Sequence, residues 1–214
     1  LYAIGADKMQ EMDQEHPAVQ YLYSRKIPLI YWNDLYYIKD YRRLAEINPA
    51  YEGRLLEEAR IIIPFRDKDG RMTGVQGRAM GNNPMRYVTV RFTDDPLIFG
   101  YQYIDPEKMV FATEGAFDSM FVNNGLAVAG SNLKGITQYV PKDNLALVYD
   151  NEPRNKSIVS IMERAIKDGF RLVIWPPTWQ FKDINEAILG GVSQKELMET
   201  LYTHAYGDLQ VKLA

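Results

Sequence analysis

The segment 110-VFATEGAFDSMF-121 runs from apolar residues into Glu114 and Gly115 and sets a second acid, Asp118, four positions after the first. A carboxylate that ends a buried strand has lost much of its hydration, and burying a charge is costly unless something neutralises it. Two further acid groups close apolar stretches in the same way: Asp150 and Glu152 in 145-LALVYDNEP-153, and Asp183 in 181-FKDINEAI-188. Asp150 and Glu152 are two apart, so on an extended backbone both carboxylates face one side. The chain has no cysteine and only two histidines, His16 and His204, far apart in sequence and read as non-ligands. The donors are therefore hard oxygens, which suit magnesium, an ion that binds through one or two carboxylates and keeps waters for substrate phosphates. Asp150, Glu152 and Asp183 are the principal candidate metal ligands and Asp118 a weaker one. A plainer reading stands beside this: Asp183 before 184-INEAI-188 is placed as a helix N-cap, and Asp118 as an ordinary helical acid. Three such groups at strand ends favour the cation, because each added like charge raises a cost that only a cation relieves.

The elements that must carry these acids follow from hydrophobic periodicity. After Asp105, Met109 to Thr113 reads as a strand, Ala116 to Asn123 as a helix, and Leu126 to Ala129 and Leu145 to Tyr149 as strands. A helix over 157-SIVSIMERAIKDG-169 stops at Gly169, and 170-FRLVIW-175 is the next strand. Alternating strands and helices imply a parallel sheet, whose ligands bind beyond the carboxyl ends of the strands, where the acids fall. The segment 193-SQKELMETLYTH-204 reads as an amphipathic helix packing on the sheet, with a partner contact as the lesser alternative.

The texture before Asp105 differs. Helical spacing in 16-HPAVQYLYSRKIP-28 is closed by Pro28, and the aromatics of 31-YWNDLYYIKDYRRL-44 read as packing rather than base-stacking groups. The run 60-RIIIPFRD-67, a tight turn at 67–70 and 71-RMTGVQGRAM-80 form a hairpin, and 86-RYVTVRF-92 continues the β pattern. Net charge is −3, yet Arg60 to Arg91 hold seven basic residues against Asp67 and Asp69, a local balance of +5. Such segregation is expected of a chain with one surface for a polyanion and another for cations, although a solvated basic rim explains the periodicity equally well. The absence of cysteine excludes a disulfide framework, a thiolate zinc site and a cysteine nucleophile within these residues and fits a reducing compartment. No apolar run approaches a bilayer span, no signal-peptide layout opens the chain, and an intracellular protein is expected. The first residue is Leu1, so a fragment of a longer chain is expected. No dinucleotide fingerprint, Walker loop or nucleophile elbow occurs.

The set E-G-x-x-D at Glu114, Gly115 and Asp118, D-x-E at Asp150 and Glu152, and K-D-x-N-E from Lys182 to Glu186 resembles the TOPRIM domain of primases, type IA and II topoisomerases and some nucleases. That domain usually carries D-x-D; D-N-E keeps the charge and lengthens one ligand. Upstream, Arg60 to Ala79 followed by Arg86-Tyr-Val-Thr89 resembles the basic lobe preceding TOPRIM in bacterial DnaG-type primases. The segments 16–28, 75-VQGRA-79, 150-DNEPR-154 and K-D-I-N are similar to the primases of T-even-type bacteriophages.

The resemblance implies an α/β chain with a TOPRIM fold, a central mostly parallel sheet flanked by helices, preceded by a smaller basic α+β lobe. Its divisions would be a lobe over 1–105, TOPRIM over 106–190 and a helical tail over 191–214. It further implies a DNA primase RNA-polymerase domain, cytoplasmic in the infected bacterium, joining ribonucleoside triphosphates on a single-stranded DNA template beside a hexameric replicative helicase. Magnesium or manganese would be the cofactor, with no zinc in this chain. Glu114 would be a ligand or the acid/base group. Arg60, Arg66, Arg78 and Arg86 would hold template or triphosphate, Tyr87 would stack on a base, and Lys182 would neutralise phosphate. The rivals are a TOPRIM nuclease and a non-catalytic DNA-binding or helicase-docking module.

Overall fold

The computed structural model describes residues 1–129 and 133–207. Two compact units divide the chain, Leu1–Phe99 and Gly100–Ala214.

The first unit is built on an antiparallel sheet in simple sequential order: β1 (Ala6–Lys8), β2 (Tyr36–Ile38), β3 (Arg60–Arg66), β4 (Met72–Ala79) and β5 (Tyr87–Arg91). Helix α1 (Pro17–Ser24) starts where the sequence provides both a cap and a preset φ. The His16 ring accepts the Ala18 N–H at 3.2 Å, and Pro17 occupies the first turn. Its buried face is Ala18, Val19 and Leu22. Pro64 is tolerated within β3 because β2 pairs only with residues 60 to 62, so no β2 residue is registered opposite the position that lacks an N–H. Asp67 organises the following turn, its carboxylate accepting from the N–H groups of Asp69 and Arg71, while Gly70 supplies the positive φ of 79°. Ile38, Tyr41, Ile62, Val75 and Val90 share one core cluster. Trp32, Tyr36 and Tyr41 are buried, so these aromatics of the 31–44 segment fill the interior. The unit closes with the two-residue strand β6 (Ile98–Phe99).

In the second unit β7 (Val110–Thr113), β8 (Gly125–Val128), β9 (Leu145–Val148), β10 (Arg171–Val173) and β11 (Ala205–Tyr206) lie in the spatial order β11-β10-β9-β7-β8. All pairs are parallel except β10 with β11. Every residue of β7, β8 and β9 is buried, the continuous apolar run that a sheet covered on both faces demands. The helices are α2 (Ala116–Ser119), α3 (Leu133–Ile136), α4 (Lys156–Lys167), α5 (Ile184–Leu189) and α6 (Gln194–Thr203). Helix α2 is shorter than its periodicity predicts. The Ser119 hydroxyl bonds back to Ala116 O, and the chain then turns through Asn124 at φ 56°. The Asn124 side chain ties that turn to the carbonyls of Asp105 and Met109. Part of the expected tail, 208–214, lies outside the described residues. Among the described residues no helix is long and apolar enough to cross a membrane.

Candidate functional site

Strands β7 and β9 are neighbours in parallel register, Thr113 opposite Val148, so the residues that follow them emerge side by side at the carboxyl edge of the sheet. Glu114 follows Thr113 directly and Asp150 follows Val148 by two. A groove there is lined by Thr113, Glu114, Asp118, Tyr149, Asp150 and Asp183 among others. It is narrow, with room between these side chains for about one water-sized group. Four of the five predicted acids thus share one lining.

Three of these four carboxylates accept a backbone N–H. The Asp150 N–H donates to Glu114 Oε1 at 3.4 Å. Asp118 Oδ1 accepts the Asn185 N–H at 2.9 Å, linking α2 to α5. Gly115 leaves room for this carboxylate, since a Cβ at that position would stand 2.5 Å from Asp118 Oδ2 and turn it aside. Asp183 is indeed the N-cap of α5, accepting the Glu186 N–H at 2.7 Å, and it lines the groove as well; the two readings of this residue are compatible.

The electrostatics record the crowding. Burial, reinforced by the charges of Glu114 and Asp183, pushes the Asp150 carboxyl up to about 6. Loss of hydration raises Glu114, and the nearby Glu152 charge adds to the effect. The Tyr149 phenol is raised by burial and by Glu114, and its buried hydroxyl has no hydrogen-bond partner among the described residues.

Glu152 departs from the expected geometry. The chain is not extended at Asn151: the Glu152 N–H turns back to Asp150 O at 2.8 Å, which separates the two acids. Glu152 pairs with Lys182 Nζ at 2.7 Å and accepts from Asn155 Nδ2 at 2.7 Å, and these partners hold its carboxyl below the usual range. Glu152 and Lys182 therefore stand together outside the groove lining.

The donor set fits a hard divalent cation. All groups are oxygens, and like charges are gathered where burial already disfavours them. Among the described residues no three acids close on one point as a ready-made cage.

In the first unit the expected basic residues separate. Arg78 crosses from β4 to meet Tyr21 and Tyr87. Its Nε donates to the Tyr21 hydroxyl at 2.9 Å, and its guanidinium carbon lies 4.6 Å from the Tyr87 ring centroid. Arg86 and Tyr87 are exposed. Arg66 spends one donor on Gly70 O at 2.9 Å in its own hairpin. Arg60 does not reach the surface: it is fully buried, paired with Glu58 and bonded to the carbonyls of Gly77 and Met85. A buried guanidinium must spend its donors internally, so Arg60 holds the sheet rather than a polyanion.

Sequence reasoning passed over Asn151, Tyr149 and Trp175. Only the position of Asn151 between two acids signals it; Trp175 ends the run 170–175 that reads as a strand, and the strand stops at Val173, which frees its ring to turn back to Tyr149.

No protein-family model matches the chain. It is 28% identical over 212 residues to the DNA primase of Enterobacteria phage T4, covering 96% of this chain and 61% of that protein. In structure it is similar to a DNA primase domain from Pseudomonas aeruginosa, with a TM-score of 0.70, 14% identity and coverage of 99% of this chain and 79% of that one. It is also similar to a DnaG primase catalytic domain bound to single-stranded DNA, with a TM-score of 0.68, 17% identity and coverage of 97% and 78%. The chain therefore has the fold of DnaG catalytic cores, the α/β class expected from its sequence.

Proposed function

We propose that this chain, alike in sequence to a phage primase and in fold to DnaG catalytic cores, is the RNA-polymerising domain of a DNA primase, making short RNA primers from ribonucleoside triphosphates on single-stranded DNA. The observation that carries the reading is the gathering of Glu114, Asp118, Asp150 and Asp183 around one narrow groove at the carboxyl ends of β7 and β9.

Asp150 and Asp183 would hold magnesium, with Glu114 and Asp118 as further oxygen donors. The bound ion would supply Lewis-acid activation of a 3′-hydroxyl and neutralise charge on the α-phosphate and the departing pyrophosphate. Glu114, its proton affinity raised by burial, would serve as the proton acceptor. Lys182 is already charge-balanced by Glu152, so the pair can exchange partners and offer the ammonium to phosphate. Arg78, Arg86 and Tyr87, with Arg66 in support, would hold template or triphosphate by phosphate contacts and stacking. A replicative helicase as partner, and the cytoplasm of the infected cell as location, follow from the resemblance.

The test is incubation of the chain with labelled single-stranded DNA and magnesium, with and without ribonucleotides. New RNA that depends on both ribonucleotides and magnesium is the expected result. Shortening of the DNA identifies a nuclease. No product, together with a thermal midpoint that ignores magnesium, identifies a non-catalytic module.

A further inference from the structure

We infer that Asn151, the residue between the two acids of D-N-E, is a positioning residue that fastens the segment carrying Lys182 and Asp183 to the carboxyl end of β9. The inference rests on the polymerase reading for its purpose, while its geometry stands independently.

The segment between β10 and α5 contains Pro176 and Pro177 and has no strand or helix of its own. Something else must set its distance from Asp150. Asn151 does so three times over. Its Nδ2 donates to Trp179 O at 3.0 Å and to Phe181 O at 3.1 Å, and its backbone N–H donates to Lys182 O at 2.7 Å. From the other side Trp175 Nε1 donates to Tyr149 O at 2.8 Å. Both ends of 175–182 are thus tied to the residues flanking Asp150.

The chemistry explains the residue type. Two carbonyl oxygens must be met by two N–H hydrogens on one short side chain, which the asparagine amide supplies. An aspartate of the same shape would set its oxygen against those carbonyls. The turn at Asn151 serves the acids as well, sending Asp150 into the groove and Glu152 to Lys182. The Trp175 and Trp179 rings stack at 4.9 Å and stiffen the fastened segment.

The test uses the full chain without metal and then in a magnesium titration followed by thermal midpoint. Trp175 and Trp179 lie on the segment, while Trp32 is 5% exposed in the first unit and provides a constant fluorescence background. Asn151→Ala should shift tryptophan emission to longer wavelength before any metal is added. It should also raise the magnesium concentration for half-maximal stabilisation by about 10-fold or more, the usual effect of removing a residue that orients metal ligands. Asn151→Asp should do the same to a greater degree. If neither variant melts cooperatively, Trp175→Phe, which removes the opposite tie and keeps a ring, should shift the magnesium response in the same direction. Unchanged emission with an unchanged magnesium response in the Asn151 variants, or an unchanged response in Trp175→Phe where it must decide, overturns the inference. A wild type that answers magnesium but makes no RNA overturns the polymerase reading alone.

Discussion

Asp150 sits where burial and two neighbouring carboxylates oppose its charge, and its carboxyl is pushed up to about 6 from an ordinary value of 3.8. The folded state holds this proton more tightly than the unfolded chain, so the penalty for ionising Asp150 is absent below about pH 4 and fully developed above about pH 6. Without divalent ions the thermal midpoint should therefore rise as pH falls from 7 towards 5. Asp150→Asn should raise the metal-free midpoint at pH 7 and abolish the stabilisation given by magnesium. A lower midpoint with magnesium still effective would mean that Asp150 is structural. Glu152 behaves in the opposite sense, because Lys182 and Asn155 stabilise its ionised form. Glu152→Gln should leave the thermal midpoint little changed, because the ion pair it breaks is partly exposed and screened by solvent. Because Glu152 stands outside the groove lining, the thermal shift given by magnesium should survive in this variant; its loss would return Glu152 to the ligand set.

At the level of elements, close approach sets the limits. Gly77 on β4 lies directly beneath the Tyr41 ring, and an added Cβ would collide with that ring and with Arg60. Tyr41 is fully buried, and its hydroxyl donates to Val88 O at 2.6 Å, so it has no free direction in which to move. Gly77→Ala should destabilise the first unit by about 1–3 kcal/mol, the usual cost of overpacking, measured by denaturant unfolding. An unaltered midpoint would show that the β4–β5 ribbon yields. The same packing explains what could be read in advance. Runs such as Leu145 to Val148 are apolar at every position and announce a covered strand, and the acids after them mark its carboxyl end. Arg60 begins a strand buried at its first six positions, so no alternation reveals that its side chain turns inward towards Glu58. The paired acids misled for a similar reason: spacing assumes an extended chain, and the turn at Asn151 depends on bonds to residues 28 to 31 positions later. Helix α5 was legible through its cap, whereas the groove lining needed the sheet order to bring Glu114 beside Asp150.

For the molecule as a whole, the two ends of the charge distribution fall in different units, the basic residues 60–91 in the first and the carboxylate groove in the second. Polyanion binding and metal binding should then be separable. Arg78→Ala should weaken single-stranded DNA binding and flatten its log–log salt dependence by about one unit, while leaving the magnesium thermal shift intact. Fluorescence anisotropy across a salt series checks this, and an unaltered slope would remove Arg78 from the interface. The antiparallel pair of Ala205 and Tyr206 with β10 carries one more consequence. That short ribbon covers the backbone amides and carbonyls along one border of an otherwise parallel sheet, a border that would template self-association if bared. A truncated chain ending at Thr203 would retain every acid of the groove, yet should precipitate or form oligomers in proportion to its concentration.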